Sequence, residues 1–135
     1  MIVADTNLIA YLLIPGEKTA CAQQVYMHDS DWQVPQLWRS ELRNVLMLYV
    51  RKQHLPLAKA IQIMVLAEKR FGAGQAVASQ HVLTLTAESD CSAYDCEFVA
   101  LAEKKQVSLI TSDKKVQAAF PSIAISPESF VVSFD

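Results

Sequence analysis

Apolar positions fall into short continuous runs and stripes at helical spacing, separated by proline, glycine and charged punctuation. Ile2-Val3-Ala4 is continuously apolar and reads as a short strand buried on both faces. Asn7–Leu13 then becomes helical, with Leu8, Ile9, Leu12 and Leu13 as its apolar positions, and stops before Pro15-Gly16. A second helix is predicted from about Glu17 to His28. Trp32-Gln33-Val34 reads as a brief strand, with Pro35 opening a long helix through about His54. A further helix spans Leu57–Phe71 and is ended by Gly72-Ala73-Gly74. Gln75–Glu88 is a weaker helix, because Val77, Val82, Thr84 and Thr86 are β-branched.

The last third is clearer. Ser92-Ala93-Tyr94-Asp95 resembles a capping box and opens a helix through about Lys105. Val107–Thr111 reads as a buried strand, and Ser112-Asp113 opens a short helix ending near Phe120-Pro121. Ile123–Ile125 is another strand, followed by a helix start at Ser126-Pro127-Glu128 with proline in its first position. Strands alternating with helices predict an α/β fold with a short central parallel β-sheet flanked by helices. No linker or repeat divides the chain, so residues 1–135 are expected to form one domain.

Composition sharpens this picture. With 52% hydrophobic and 19% charged residues, the chain has material for a core and lacks the signature of disorder. The apolar excess in 135 residues leaves room for another buried surface, a homodimer or a partner groove. No uncharged apolar run approaches the ~20 residues of a membrane span. No basic segment followed by a small-residue cleavage site reads as a secretory signal, so a cytoplasmic location is expected. Cys21, Cys91 and Cys96 are odd in number and make no C-x-x-C pair, which fits reduced thiols. The net charge of −2 argues against a nucleic-acid partner on its own. Yet Arg39, Arg43, Arg51 and Lys52 cluster in one segment, and Lys104, Lys105, Lys114 and Lys115 in another. A basic rim around an acidic pocket is compatible with that total.

Four carboxylates stand in awkward places. Asp5 and Asp113 each follow an apolar strand and precede a helix. In open parallel sheets ligands bind beyond the carboxyl ends of the strands, so two acids at such junctions are candidates to share a site. Each alone is equally a good helix N-cap. Glu41 lies in the predicted helix Gln36–His54, with Leu37 and Val45 each about 40° away, Leu48 about 20° and Trp38 about 60°. This places a Glu inside an apolar stripe, where its charge needs a partner. Pairing with Arg39 or Arg43, or a rotated helix, are the structural alternatives. Asp95 sits near the start of the helix that leads into Val107–Thr111, at the same sheet end as Asp113, and could also serve as a cap.

Four acids facing one pocket would repel and take up protons without a counter-ion. Oxygen ligands with no His or Cys set in ligand-like spacing favour Mg²⁺ or Mn²⁺ over Zn²⁺. Such an ion polarises a phosphodiester and lowers the pKa of an attacking water. Other chemistries are poorly supported: there is no G-x-x-x-x-G-K-[ST] or G-x-G-x-x-G loop, and His28, His54 and His81 lie far apart. A receiver-like phosphoacceptor domain would carry paired acids after the first strand, where VADTN supplies one.

The stretches VADTNLIAYLL, SELRNVL, SAYDCEFVALAEK and LITSDKKV, in this order, resemble the motifs of the PIN-domain ribonucleases. Within them the chain is similar to the small VapC-type toxins of toxin–antitoxin pairs. The resemblance implies a PIN-like three-layer fold, with Asp5, Glu41, Asp95 and Asp113 as the acidic catalytic and metal-binding set. It implies that Thr6 or Asn7, and Thr111 or Ser112, orient those acids, and that Asn44 in the E-x-x-N wording positions the same helix. It further implies RNA cleavage through metal-activated water, silencing by a small antitoxin protein, and a homodimer. Arg39, Arg43, Lys114 and Lys115 are candidate RNA contacts, though a solvated face explains the two arginines as well. Two features depart from the family. Its frequent extra acid near the last motif is replaced by Lys114 and Lys115, and Gly72–Asp90 matches none of its wording. Glu97, about 160° around the helix from Asp95, is expected at the surface. The alternative function is a non-catalytic PIN-like module that binds RNA or protein.

Overall fold

The computed structural model describes residues 1–135. Its centre is a parallel sheet in the order β2-β1-β3-β4, built from β1 (Ile2–Ala4), β2 (Trp32–Gln33), β3 (Leu109–Ile110) and β4 (Ala124–Ile125). Eight helices flank it: α1 (Thr6–Leu13), α2 (Thr19–His28), α3 (Trp38–Lys52), α4 (Leu57–Phe71), α5 (Ser79–Ala87), α6 (Ala93–Lys105), α7 (Lys114–Ala119) and α8 (Pro127–Val132). This is the expected α/β architecture with a short parallel sheet between helices.

The strands are short because the buried apolar runs are short. Ile2, Val3 and Ala4 are all buried, as are Leu109 and Ile110. In register, Val3 faces Leu109 and Ala4 faces Ile110. The predicted strand Val107–Thr111 therefore contributes two residues to the ladder, and its last residue, Thr111, emerges beside Asp5. The chain runs from β1 to β2 on one side and later returns to β3 on the other. The gap between the carboxyl ends of β1 and β3 is thus the switch point where a parallel sheet offers a crevice.

Helix α6 is the central helix. Cys96 and every residue from Phe98 to Ala102 are buried, at 2% exposure or less. A helix apolar on nearly all sides belongs in the core, and α6 packs on β1, β3 and α5. Cys21, Cys91 and Cys96 are free thiols.

Two expected helix starts move. Pro35 does not open α3, which begins at Trp38. The backbone of residues 34–36 is used in extended pairing instead: Gln75 N–H donates to the Val34 carbonyl at 2.9 Å, and Gln36 N–H donates to the Gln75 carbonyl at 3.1 Å. The same pairing holds Gln75 extended, so the predicted helix Gln75–Glu88 is shortened to α5. Gly74 makes this approach possible. Its φ is +86°, and a Cβ there would lie 2.6 Å from the Pro35 carbonyl oxygen.

The apolar stripe of α3 also differs from the expectation. Trp38, Leu42 and Leu46 form its buried face, and Leu48 is 43% exposed. Glu41 is about 100° from the centre of that face, so it occupies the edge of the stripe rather than its middle.

Candidate active site

Asp5 is the first residue beyond β1, held there by its N–H donating to the Ile110 carbonyl at 3.1 Å. Its Oδ1 accepts from the Thr6 N–H at 2.7 Å, which makes it the N-cap of α1. Its Oδ2 accepts from the Thr111 hydroxyl at 2.5 Å. Asp113 is likewise both an N-cap and a cleft residue. Its Oδ1 accepts from the Lys115 and Val116 N–H groups of α7, at 2.9 and 3.2 Å. Its own N–H donates to the Thr111 hydroxyl at 3.0 Å. Capping and site placement are therefore compatible readings for both acids.

Thr111 is fully buried, and its hydroxyl bridges the two strand-end acids. Thr6 is buried too, and its hydroxyl donates to Glu41 Oε1 at 2.7 Å. The carboxylates are thus held by Thr6 and Thr111. Asn7 and Asn44 are exposed and line the same cleft without holding an acid, and Ser112 lies outside it. Ser92, not Asp95, caps α6: the Asp95 N–H donates to the Ser92 hydroxyl at 3.0 Å. The Asp95 carboxylate is left to the cleft.

Asp5, Glu41, Asp95 and Asp113 converge on one open cleft of about 180 Å³, with Thr6, Asn7, Asn44 and Val45 completing its lining. Their electrostatics carry the mark of crowding. Burial raises Asp5 above the ordinary carboxylate range, against the lowering pull of its bonds from Thr111 and Thr6, and the charges of Asp95 and Asp113 raise it further. Burial also raises Glu41, opposed by the Thr6 bond and reinforced by the charges of Asp5, Asp95 and Glu97. Neither arginine neutralises Glu41. Arg39 pairs with Glu68 of α4 at 3.7 Å, and Arg43 emerges about 160° around α3 from Glu41.

Glu97 corrects the expectation of a plain surface residue. It is half-buried, burial raises its pKa, and its charge is felt at Glu41. The helical-wheel reading missed it because α5 and the segment before it fold over that side of α6. Periodicity along one helix holds no information about that cover.

The donor set is entirely oxygen and crowded with negative charge, which suits a hard divalent cation. No three acids stand close enough to form a ready-made cage. Mg²⁺ does not require one, since it is usually held by one or two carboxylates with waters and substrate phosphates completing its shell.

A parallel α/β sheet with acids gathered beyond β1 and β3 defines the class. The PIN domain family model matches residues 2–121, and the chain belongs to that family, whose domains are generally nucleases. Among solved structures, the chain is similar to PAE2754 from Pyrobaculum aerophilum, with a TM-score of 0.76 and 20% identity over 98% of this chain and 94% of that one. It is also similar to FitAcB from Neisseria gonorrhoeae, with a TM-score of 0.68 and 21% identity over 95% of this chain and 99% of that one. No curated protein matches the chain.

Proposed function

We propose that this PIN domain is a metal-dependent endoribonuclease that hydrolyses RNA phosphodiester bonds, the toxin of a toxin–antitoxin pair. The observation that carries the reading is the convergence of Asp5, Glu41, Asp95 and Asp113, from four separate stretches of chain, on one cleft. These acids would hold Mg²⁺ or Mn²⁺, hard cations that take oxygen ligands. The ion would polarise the phosphodiester and lower the pKa of the attacking water. The protein's part is positioning. Thr111 fixes Asp5 and the start of α7, and Thr6 fixes Glu41 relative to α1. Lys114 and Lys115, exposed just after Asp113, form the basic rim for RNA phosphates. Arg39, tied to Glu68, and Arg43, on the far side of α3, are less suited to that task.

On the resemblance to VapC-type toxins, the proposal extends to a small antitoxin as protein partner and a second copy of the chain as homodimer partner. Leu57, Ile61 and Val65 support the dimer, since they form an exposed apolar stripe along α4. No helix is long and apolar enough to cross a membrane.

The test is cleavage of a mixed single-stranded RNA pool with and without Mn²⁺ or Mg²⁺. Cutting that requires the metal and disappears in Asp5→Asn and Asp95→Asn, with circular dichroism unchanged, supports the nuclease. RNA binding without cutting, left intact by both substitutions, overturns it in favour of the binding module.

A further inference from the structure

Gly72–Asp90, the stretch without family wording, builds a second cavity of about 350 Å³ on the α5 side of α6. Its polar lining is Gln36, Gln75, Ser79 and Glu97, and its apolar wall includes Val82 and Leu83. Glu97 is half-buried there, outside every ion pair of the chain. Gln75 commits its Nε2 to Gln33 and keeps its Oε1 free. Leu83 is 64% exposed, an apolar surface on which a flat ring can lie. Two short stretches of chain link the cavity to the acids. Glu97 follows Asp95 by two residues on α6, Gln36 leads into the helix that carries Glu41, and the charge of Glu97 reaches Glu41.

We infer that this cavity is a nucleobase subsite of the RNA substrate, selecting guanine through Glu97. The inference rests on the nuclease reading above. Single-stranded RNA is read by splayed bases that stack on side chains and hydrogen-bond along their Watson–Crick edges, and a cavity of this volume admits one base. A carboxylate only accepts hydrogen bonds, at two oxygens. Guanine alone presents two adjacent donors, N1–H and N2–H, to match them. Adenine and cytosine set a ring-nitrogen lone pair beside their amino group, and uracil offers one donor between two carbonyls. Each of these brings repulsion against Glu97.

The experiment is titration of the full chain with the 5′-monophosphates of guanosine, adenosine, cytidine and uridine into the millimolar range, followed by amide NMR shifts. Guanosine monophosphate is expected to bind at least about tenfold more tightly than the others, shifting residues 79–83 and Glu97. Glu97→Gln should weaken it roughly ten- to hundredfold, the effect of one charge-assisted contact, and leave adenosine monophosphate unchanged. Leu83→Ala, at an exposed position, should weaken all four. Equal binding of the four nucleotides, shifts elsewhere, or no saturable guanine binding overturns the subsite. RNA cutting separates the two readings. Asp5-dependent cleavage without guanine preference keeps the nuclease and removes the subsite, whereas guanine binding without cleavage does the reverse.

Discussion

The Thr111 hydroxyl donates to Oδ2 of Asp5 across 2.5 Å, joining residues 106 positions apart in the chain. The bond exists because the parallel register aligns Ala4 with Ile110, so the next residue on each strand leaves the sheet at the same place. The Thr111 hydroxyl oxygen also accepts the Asp113 N–H, so one buried hydroxyl sets the spacing of two acids.

Thr111→Val keeps the shape and removes that hydroxyl. Asp5 loses a donor and the Asp113 N–H loses its acceptor, and the stability loss is expected at about 2–3 kcal/mol in urea unfolding. Thr111→Ser should recover most of it. A loss below about 0.5 kcal/mol, the range of an ordinary surface change, would show that the hydroxyl holds nothing.

Thr6 and Asn7 are neighbours with opposite prospects. Thr6 is buried with its hydroxyl on Glu41, and Asn7 is exposed. Thr6→Val should destabilise by about 1–2 kcal/mol and raise the Glu41 pKa further, read by carboxyl-carbon NMR titration. Asn7→Ala should stay within about 0.5 kcal/mol of wild type. Equal effects from the two would contradict this assignment.

The pH dependence of the metal-free protein follows from the raised Asp5 and Glu41. A carboxyl whose folded-state pKa lies above its unfolded value binds its proton more tightly when folded. Its contribution to stability is fully present below the unfolded value and is lost as pH rises through the folded one. Asp5→Asn cannot ionise and escapes its share of that loss. Its stability relative to wild type should therefore rise as pH increases above the unfolded value of about 4, measured by urea unfolding in chelator. A relative stability that falls over this range would refute the sign.

Divalent cations should reverse the balance. Mn²⁺ at about 100 times its Kd stabilises a native state that alone binds it by roughly 2.7 kcal/mol. Wild type should show that gain in thermal unfolding and Asp95→Asn should lose most of it. Identical gains would place the ion away from Asp95.

Gly74→Ala tests the crossing of the two extended segments. A methyl group would meet the Pro35 carbonyl oxygen at 2.6 Å, at a φ of +86°. The left-handed backbone alone costs an alanine about 1–2 kcal/mol, and the clash adds to it. A destabilisation of at least about 2 kcal/mol is expected, with faster hydrogen exchange at the Gln36 and Gln75 amides. Gly72→Ala meets no atom within 4 Å, but its φ of +72° and ψ of −157° lie in a backbone region almost reserved for glycine, so a loss of about 1–3 kcal/mol is expected from backbone strain alone.

Much of this molecule is decided locally and was legible in the chain. The apolar runs at Ile2–Ala4 and Leu109–Ile110, the serine caps at Ser92 and Ser126, and the proline at the start of α8 act within a few residues of themselves. Asp5 and Asp113 were readable for the same reason, since a strand end followed by a helix start is a pattern within one segment. What sequence spacing could not supply was anything fixed by a distant partner. Pro35 looked like a helix start, and only the backbone of Gln75 took its neighbours into extended pairing. Glu97 looked exposed on its own helix, and α5 covered it. Between Thr6 and Asn7, or Thr111 and Ser112, composition offers no choice. The sheet register and the packing of α3 against α1 do, because a hydroxyl can hold a carboxylate only where tertiary structure brings the two within hydrogen-bond reach.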